Sequence, residues 1–417
     1  MPADRLRMNR DSPVRVLEME LTDEPKSLTG CAGYSAVRIL LRRRRRPIGW
    51  VAIYEPDDTI SAKTLKLAIY FQAGSALWLS VLADSLESDV AATELPPISV
   101  VVCTRDRGKL LNDCLRSLHE LDYPAFEIIV VDNAPASNET EMIVTQFPAK
   151  GLLRYVREDR PGLDWARNRG IMEARHDIIA FTDDDVRVDA GWLRAFASAF
   201  AEPEVGLVTG LVAPAELETG AQQLFELVYG GMGKGMQPRV WNRERAGRYD
   251  MVTAHRLGVG ANMAFRRRVL ETLDGFDTAL DVGTPSHGAG DLDVFHRVLL
   301  SGATVRYEPK ALVWHKHRRD IPALRRQLYD NGRAFGVYLL LLFIRGEVPR
   351  FVTANFARLW VQWHLSRVAW RFRRRERLPL PLILAEMWGG LHSPYAYLRT
   401  YYLDRRIRAQ VDGQISG

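Results

Sequence analysis

The 417-residue chain is 47% apolar and 26% charged, with 31 Gly, 3 Cys and a formal net charge of +6. That composition supports a sizeable core and excludes a disordered, collagen-like or disulfide-stapled chain. The charge is unevenly placed: residues 318–417 hold 18 Arg against 7 acidic residues, a net +11, so the remainder is net −5. A nucleic-acid footprint over the whole protein is therefore not expected, and no nucleic-acid-binding module is recognisable. Cys31, Cys103 and Cys114 are odd in number and lack zinc-site spacing, which suits a reducing, cytoplasmic compartment. The N-terminal MPADRLRMNRDSP has no apolar stretch of the kind a signal peptide carries.

In chain order, residues 1–95 form a small accessory region. It contains the run Arg42–Arg46, then PIGWVAIYEPDD as a short strand and turn, and a helix from Ser61. Leu67–Leu82, interrupted by Gln72, Gly74, Ser75 and Ser80, reads as a helix buried in protein, and Asp84–Leu95 as a linker. From Ile98 the pattern is regular. ISVVV at Ile98–Val102 and FEIIVV at Phe126–Val131 are continuous apolar runs, as expected of strands buried on both faces. Further strands follow at Leu152–Val156 and at Asp177–Thr182, with helices between. This alternation specifies a mostly parallel α/β sheet of Rossmann-like type with helices on both faces. Past Trp192 the alternation breaks, and Gly206–Arg248 is Gly-rich with a weaker pattern. Order returns at GVGANMAFRR, LDGFD, a helix at Leu292–Leu300 and a strand at Thr304–Tyr307. The main domain covers 96–317, and 318–417 reads as a helical extension. AFGVYLLLLFI at Ala334–Ile344 is too short to span a bilayer, and no transmembrane helix is expected.

In an open α/β sheet, ligands bind beyond the carboxyl ends of the strands. Here those ends carry Thr104-Arg105-Asp106-Arg107, Asp132-Asn133 and Thr182-Asp183-Asp184-Asp185. Three adjacent carboxylates repel one another unless a cation sits between them, and oxygen ligands favour Mg2+ or Mn2+ over zinc. A solvated Asp-rich turn is the plainer alternative. Asp291 and Asp293 open a helix after a Gly-rich loop, where Asp serves either as a helix cap or as a general base with an orienting neighbour. Arg160 and Arg167 are either surface arginines or groups facing a diphosphate, and Asn168 suits a local turn. No GxGxxG follows the first strand of the sheet, which disfavours a dinucleotide oxidoreductase.

Taken in order, VVVCTRDR, EIIVVDN, GLDWARNRG, FTDDDV, GANMAFRR, DGFD, GDLD and VWH resemble the motifs of inverting glycosyltransferase family 2 over about residues 97–317. The resemblance implies the GT-A fold of nucleotide-diphospho-sugar transferases, and it makes 96–317 the catalytic domain. It implies that Thr104 and Asp132 contact the nucleotide, Asp183 lies near the ribose, and Asp185 and His315 meet a Mg2+ or Mn2+ ion. Asp291 matches the family's catalytic base. The expected nucleotide-sugar set is Thr104, Arg105, Asp132, Arg167, Asp183 and Asp184, with Asp293 and Asn262 orienting the acceptor. One departure stands out: the family places Glu directly before the base, and this chain has Gly290. The implied partners are a nucleotide-diphospho-sugar donor and a carbohydrate or lipid-linked acceptor. A nucleotidyltransferase, or a binding protein without catalysis, is the alternative.

In the basic extension, Phe356, Trp360, Trp363 and Trp370 share one helical face, with Arg371 and Arg373–Arg375 following. Two readings stand. The helix packs on the catalytic domain with its arginines solvated, or it lies on an anionic membrane surface at the cytoplasmic face.

Overall fold

The structure is a computed structural model describing residues 12–86, 95–148, 152–244, 247, 249–373 and 377–415. The N-terminal stretch up to residue 11, positions 87–94 of the expected linker, and Arg374 and Arg375 lie outside the described residues. By its contacts the chain forms two compact units that interleave in sequence. One comprises residues 1–94, 213–237 and 314–324, the other 95–212, 238–313 and 325–417. This differs from three successive regions. The polar 213–237 stretch has its partners in the N-terminal strands, and the basic extension has its partners in the main domain.

The first unit holds strands β1 (Val14–Glu20), β2 (Ala36–Arg43) and β3 (Arg46–Tyr54) and helix α1 (Ala62–Leu86). β1 pairs with β2 in parallel, and β2 with β3 antiparallel. The arginine run is the hairpin turn, with Arg44 and Arg45 at φ 48° and 62°, and Glu20 accepts both of their backbone N–H groups. Val37, Ile39, Leu41, Val51, Leu65 and Ile69 form this unit's core. α1 corrects the sequence expectation. Tyr70, Phe71 and Trp78 are 69%, 77% and 75% exposed, so protein covers only one side of the helix. Its segment Ala62–Ala83 is also long and apolar enough to cross a membrane. Apolar content marks a helix but does not say what covers it.

The second unit begins with β4 (Ile98–Thr104), α2 (Gly108–His119), β5 (Phe126–Asn133), α3 (Glu139–Gln146), β6 (Leu152–Glu158), α4 (Leu163–Glu173) and β7 (Ile178–Asp183). It continues through β8 (Val186–Val188), α5 (Trp192–Ala199) and β9 (Val205–Pro214). After the short α6 (Gly220–Gln223), which belongs to the first unit, come β10 (Arg239–Trp241), β11 (Asn262–Arg266), α7 (Arg267–Thr272), α8 (Gly290–Leu300) and β12 (Thr304–His315). Helices α9 (Ile321–Arg345), α10 (Arg350–Phe372) and α11 (Leu380–Ile415) complete the chain.

The strands form a nine-stranded sheet in the order β10-β12-β9-β11-β7-β4-β5-β6, with β8 on β12. β7, β4, β5 and β6 are parallel, whereas β11 runs antiparallel to both β7 and β9. All seven residues of β4 are buried, as its unbroken apolar run requires. β9 was hidden in the Gly-rich stretch although all ten of its residues are buried. Its Gly210 is demanded by packing, since a Cβ there would meet the Ala311 carbonyl oxygen at 2.1 Å. The apolar stretch of α9 is a core helix: Tyr338, Leu339 and Leu342 join Val294, Phe295 and Val298 of α8.

Candidate active site

Strand register assembles the first cluster. Thr104 at the end of β4 lies beside Asp132 of β5, and Cys103 lies beside Asp183 of β7. The Thr104 hydroxyl donates to Asp184 Oδ2 at 2.7 Å, and Arg107 Nη1 donates to Asp184 Oδ1 at 2.9 Å and Asp185 Oδ2 at 3.4 Å. Arg107 is thus a cation that the triple carboxylate requires, and it comes from the chain itself. Burial pushes the Asp184 carboxyl up from its ordinary value, against the pull of Arg107. Asp132 is fully buried and accepts from the Tyr155 hydroxyl at 3.1 Å; burial raises its carboxyl too.

β12 runs through the sheet and ends at His315. Asp183, Asp185 and His315 each offer a ligand atom, and these atoms lie within 4.8 Å of one another. Two carboxylates and one imidazole fit a single divalent ion of the Mg2+ or Mn2+ kind, the oxygen-rich set favouring hard cations.

A second cluster forms where α4 meets the start of α8. Arg167 is buried, and its Nη1 donates to Asp164 Oδ1 at 2.8 Å and to Asp281 Oδ2 at 2.5 Å. Asp291, in the first turn of α8, accepts from the Gly260 N–H at 2.9 Å and from the Leu292 N–H at 2.8 Å. These two bonds fix the part-exposed carboxylate at the positive end of the helix. Burial, followed by the charge of Asp281, raises Asp291 above the usual carboxylate value; Arg167 and the backbone donors oppose them. Asp164 is pushed up further by the same two causes in the same order. One guanidinium stands among three carboxylates there, which is why Asp164 and Asp291 both hold their protons more tightly than a free carboxyl.

The loop carrying Asp281 is held from outside the motif region. The Asp404 carboxylate of α11 accepts from the Thr278 hydroxyl at 2.7 Å, and the Thr400 hydroxyl of α11 donates to the Ala279 carbonyl. Arg345 of α9 ties Asp277, at 2.9 Å, to Asp293, at 2.5 Å.

Other expected residues are placed differently. Asp293 is buried and spends its carboxylate on Arg297 and Arg345. Asn262 is fully buried, accepts from Trp192 Nε1 at 2.9 Å and donates to the Leu211 and Ala311 carbonyls, locking strands together. Neither is brought to a free surface. Arg105 is exposed, 3.8 Å from Asp106. Arg160 pairs with Glu158 at 2.7 Å and stacks on Trp165, while Asn168 pins the turn at Phe276 with two 2.8 Å bonds. The sequence reading missed Tyr155, Asp164 and Asp281. Asp164 had a signal, because its i,i+3 spacing puts it on the helix face of Arg167. Asp281 had none, since only the tertiary fold brings it there.

An α/β sheet with its acidic and polar groups at the carboxyl ends of parallel strands is the architecture of nucleotide-handling enzymes. The glycosyl transferase family 2 model matches residues 99–274, which span β4 to α7. The chain is 26% identical over 239 residues to a pre-mycofactocin glycosyltransferase of Mycobacterium tuberculosis, spanning 57% of this chain and 46% of that protein, about half its length. It is 26% identical over 256 residues to the glycosyltransferase AglE of Haloferax volcanii, spanning 59% of this chain and 75% of the other. A mannosyltransferase of Pyrobaculum calidifontis, solved in complex with GDP-Man and Mn2+, superposes with a TM-score of 0.44 at 19% identity, covering 80% of this chain and 82% of that one.

Proposed function

We propose that the chain transfers a sugar from a nucleotide-diphospho-sugar to an acceptor hydroxyl with inversion at the anomeric carbon, in polysaccharide or glycolipid synthesis. The observation that carries the reading is Asp291: a part-exposed carboxylate, fixed by two backbone N–H groups, with its proton affinity raised. A base of raised pKa near the working pH is what removal of a hydroxyl proton favours. Asp291 takes that proton as the acceptor oxygen attacks the anomeric carbon from the face opposite the leaving group. The bond from that carbon to the diphosphate breaks, and the nucleoside diphosphate leaves with the electron pair. Asp183, Asp185 and His315 would hold Mg2+ or Mn2+. A divalent ion there supplies positive charge to a diphosphate leaving group. Thr104 and Asp132 line the nucleotide side, and Tyr155 orients Asp132.

Asp291→Asn keeps the shape and one of the two backbone bonds, through its single amide oxygen, but cannot take a proton. The expected outcome is a loss of about 10²–10⁴-fold in turnover, with nucleotide-sugar affinity within a few-fold of wild type. A screen of UDP- and GDP-linked sugars by nucleoside diphosphate release measures both; normal turnover by the Asn variant overturns the assignment.

The extension supports the membrane-surface reading of the acceptor side. Leu384, Trp388, Leu391, Tyr395, Leu398 and Tyr402 of α11 are all exposed at alternating spacings of four and three, which makes one continuous stripe. Trp363, Trp370 and Phe372 of α10 are exposed as well, and Arg371, Arg373, Arg399, Arg405 and Arg406 supply the basic rim. A lipid-linked acceptor at an anionic leaflet suits such a face. On this reading the whole chain floats with phosphatidylserine vesicles, and a Trp388→Glu/Leu391→Glu variant loses at least half of that binding. Equal flotation would count against it.

A further inference from the structure

The structure shows what stands where the side chain of residue 290 is missing. A Cβ built on Gly290 would meet Asp164 Oδ2 at 2.1 Å and Asp281 Oδ2 at 2.8 Å. Position 290 is therefore already filled, by two carboxylates arriving from α4 and from the 277–281 loop. Asp164 is fully buried, and its Oδ2 has no hydrogen-bond partner among the described residues. An orphan carboxylate oxygen in that setting is costly to keep, and it points at the first residue of α8, one position before Asp291.

We propose that Asp164 and Asp281, bridged by Arg167, take over in space the positioning role of the acidic side chain that is absent at 290, next to the base Asp291. This inference rests on Asp291 being the base. Both carboxylates share one guanidinium nitrogen, so each fixes the other. Gly260 is the point of contact: a Cβ there would meet Arg167 Nη2 at 2.9 Å and Asp291 Oδ2 at 3.3 Å, so the guanidinium and the base carboxylate flank the same residue. Asp164 is too buried to touch an acceptor, and it acts through Arg167 and Asp291 as a positioning residue. The pinning of the Asp281 loop by Thr400 and Asp404 gives α11 a part in the same arrangement.

The two places are therefore interchangeable in a way that single substitutions are not. Gly290→Glu alone collides with Asp164 and is expected to lower kcat at least tenfold. Asp164→Ala alone removes one of the two carboxylates and is expected to do the same. The double variant Asp164→Ala/Gly290→Glu keeps the charge count and frees the space. Asp281 Oδ2, 2.8 Å from the new Cβ, still has to shift by a few tenths of an ångström; with that adjustment the double variant is expected to turn over at least tenfold faster than either single variant, with donor KM within twofold throughout. The readout is nucleoside diphosphate release by the whole chain, with Mn2+, from whichever of UDP-glucose, UDP-GlcNAc and GDP-mannose the wild type uses fastest. A double variant no faster than the slower single overturns the proposal. Should the double variant fail to fold, Asp281→Asn serves in its place: a tenfold fall in kcat at unchanged donor KM supports the proposal, and an unchanged kcat overturns it. Asp291→Asn, assayed alongside, separates the two levels, because activity there removes the base and not merely its support.

Discussion

Two acidic clusters sit in this domain; Arg107 meets the first and Arg167 the second. At the end of β7, Arg107 reaches Asp184 and Asp185 with a side chain that is 40% exposed. Beside α8, Arg167 reaches Asp164 and Asp281 with a side chain that is 5% exposed. The first arginine can swing into solvent and yield its place to another cation; the second has nowhere to go. An open, exchangeable charge suits a place where a metal and a diphosphate arrive and depart. A sealed charge suits a place that must hold one geometry.

Replacing each arginine in turn separates the two clusters most sharply. Arg167→Met leaves two carboxylates buried without their cation, and the expected loss of stability is about 3–5 kcal/mol. Arg107→Met also strands buried carboxylates, but the side chain it removes is 40% exposed and leaves a gap that water can enter, so the expected loss is smaller than for Arg167→Met. Urea titrations of both variants measure the two values, and equal losses would dissolve the distinction.

A smaller effect concerns pH. Asp164 is raised in the folded state, so it favours folding fully below the unfolded carboxyl value of about 3.9 and loses that contribution as the pH rises through its folded value. Removing the ionisable group should therefore flatten this part of the stability profile. Asp164→Asn is expected to lose stability relative to wild type at pH 4 but to close the gap by pH 8, as followed by thermal melting. A gap that stays constant with pH would mean Asp164 is ionised at no cost in the fold.

The two clusters were also unequally legible in the sequence. Asp183–Asp185 announces itself, because β7 is an unbroken apolar run that stops abruptly in three acids. β4 and β5 are legible for the same reason, and their register then sets Thr104 beside Asp132. β9 was illegible because Gly206 and Gly210 interrupt its apolar pattern, and Gly210 is there to admit β12. Asp281 was illegible because its neighbours come from α4 and α8, far apart in sequence, while α11 pins its loop at Thr278 and Ala279. Asn262 and Asp293 lie in motif segments yet spend their polar atoms on strand and helix packing, which only the hydrogen-bond partners reveal.

On the function proposed above, the cluster at the end of β7 exchanges its cation, Arg107 giving way to a divalent ion. The direct measurement is Mn2+ titrated into the whole chain with UDP or GDP present, followed by electron paramagnetic resonance, for wild type, Asp185→Ala and Arg107→Met. One bound Mn2+ in the wild type is predicted, weakened at least tenfold by Asp185→Ala and tightened by Arg107→Met, where the competing guanidinium is gone. Mn2+ binding that is absent from the wild type, or indifferent to both substitutions, would contradict the claim.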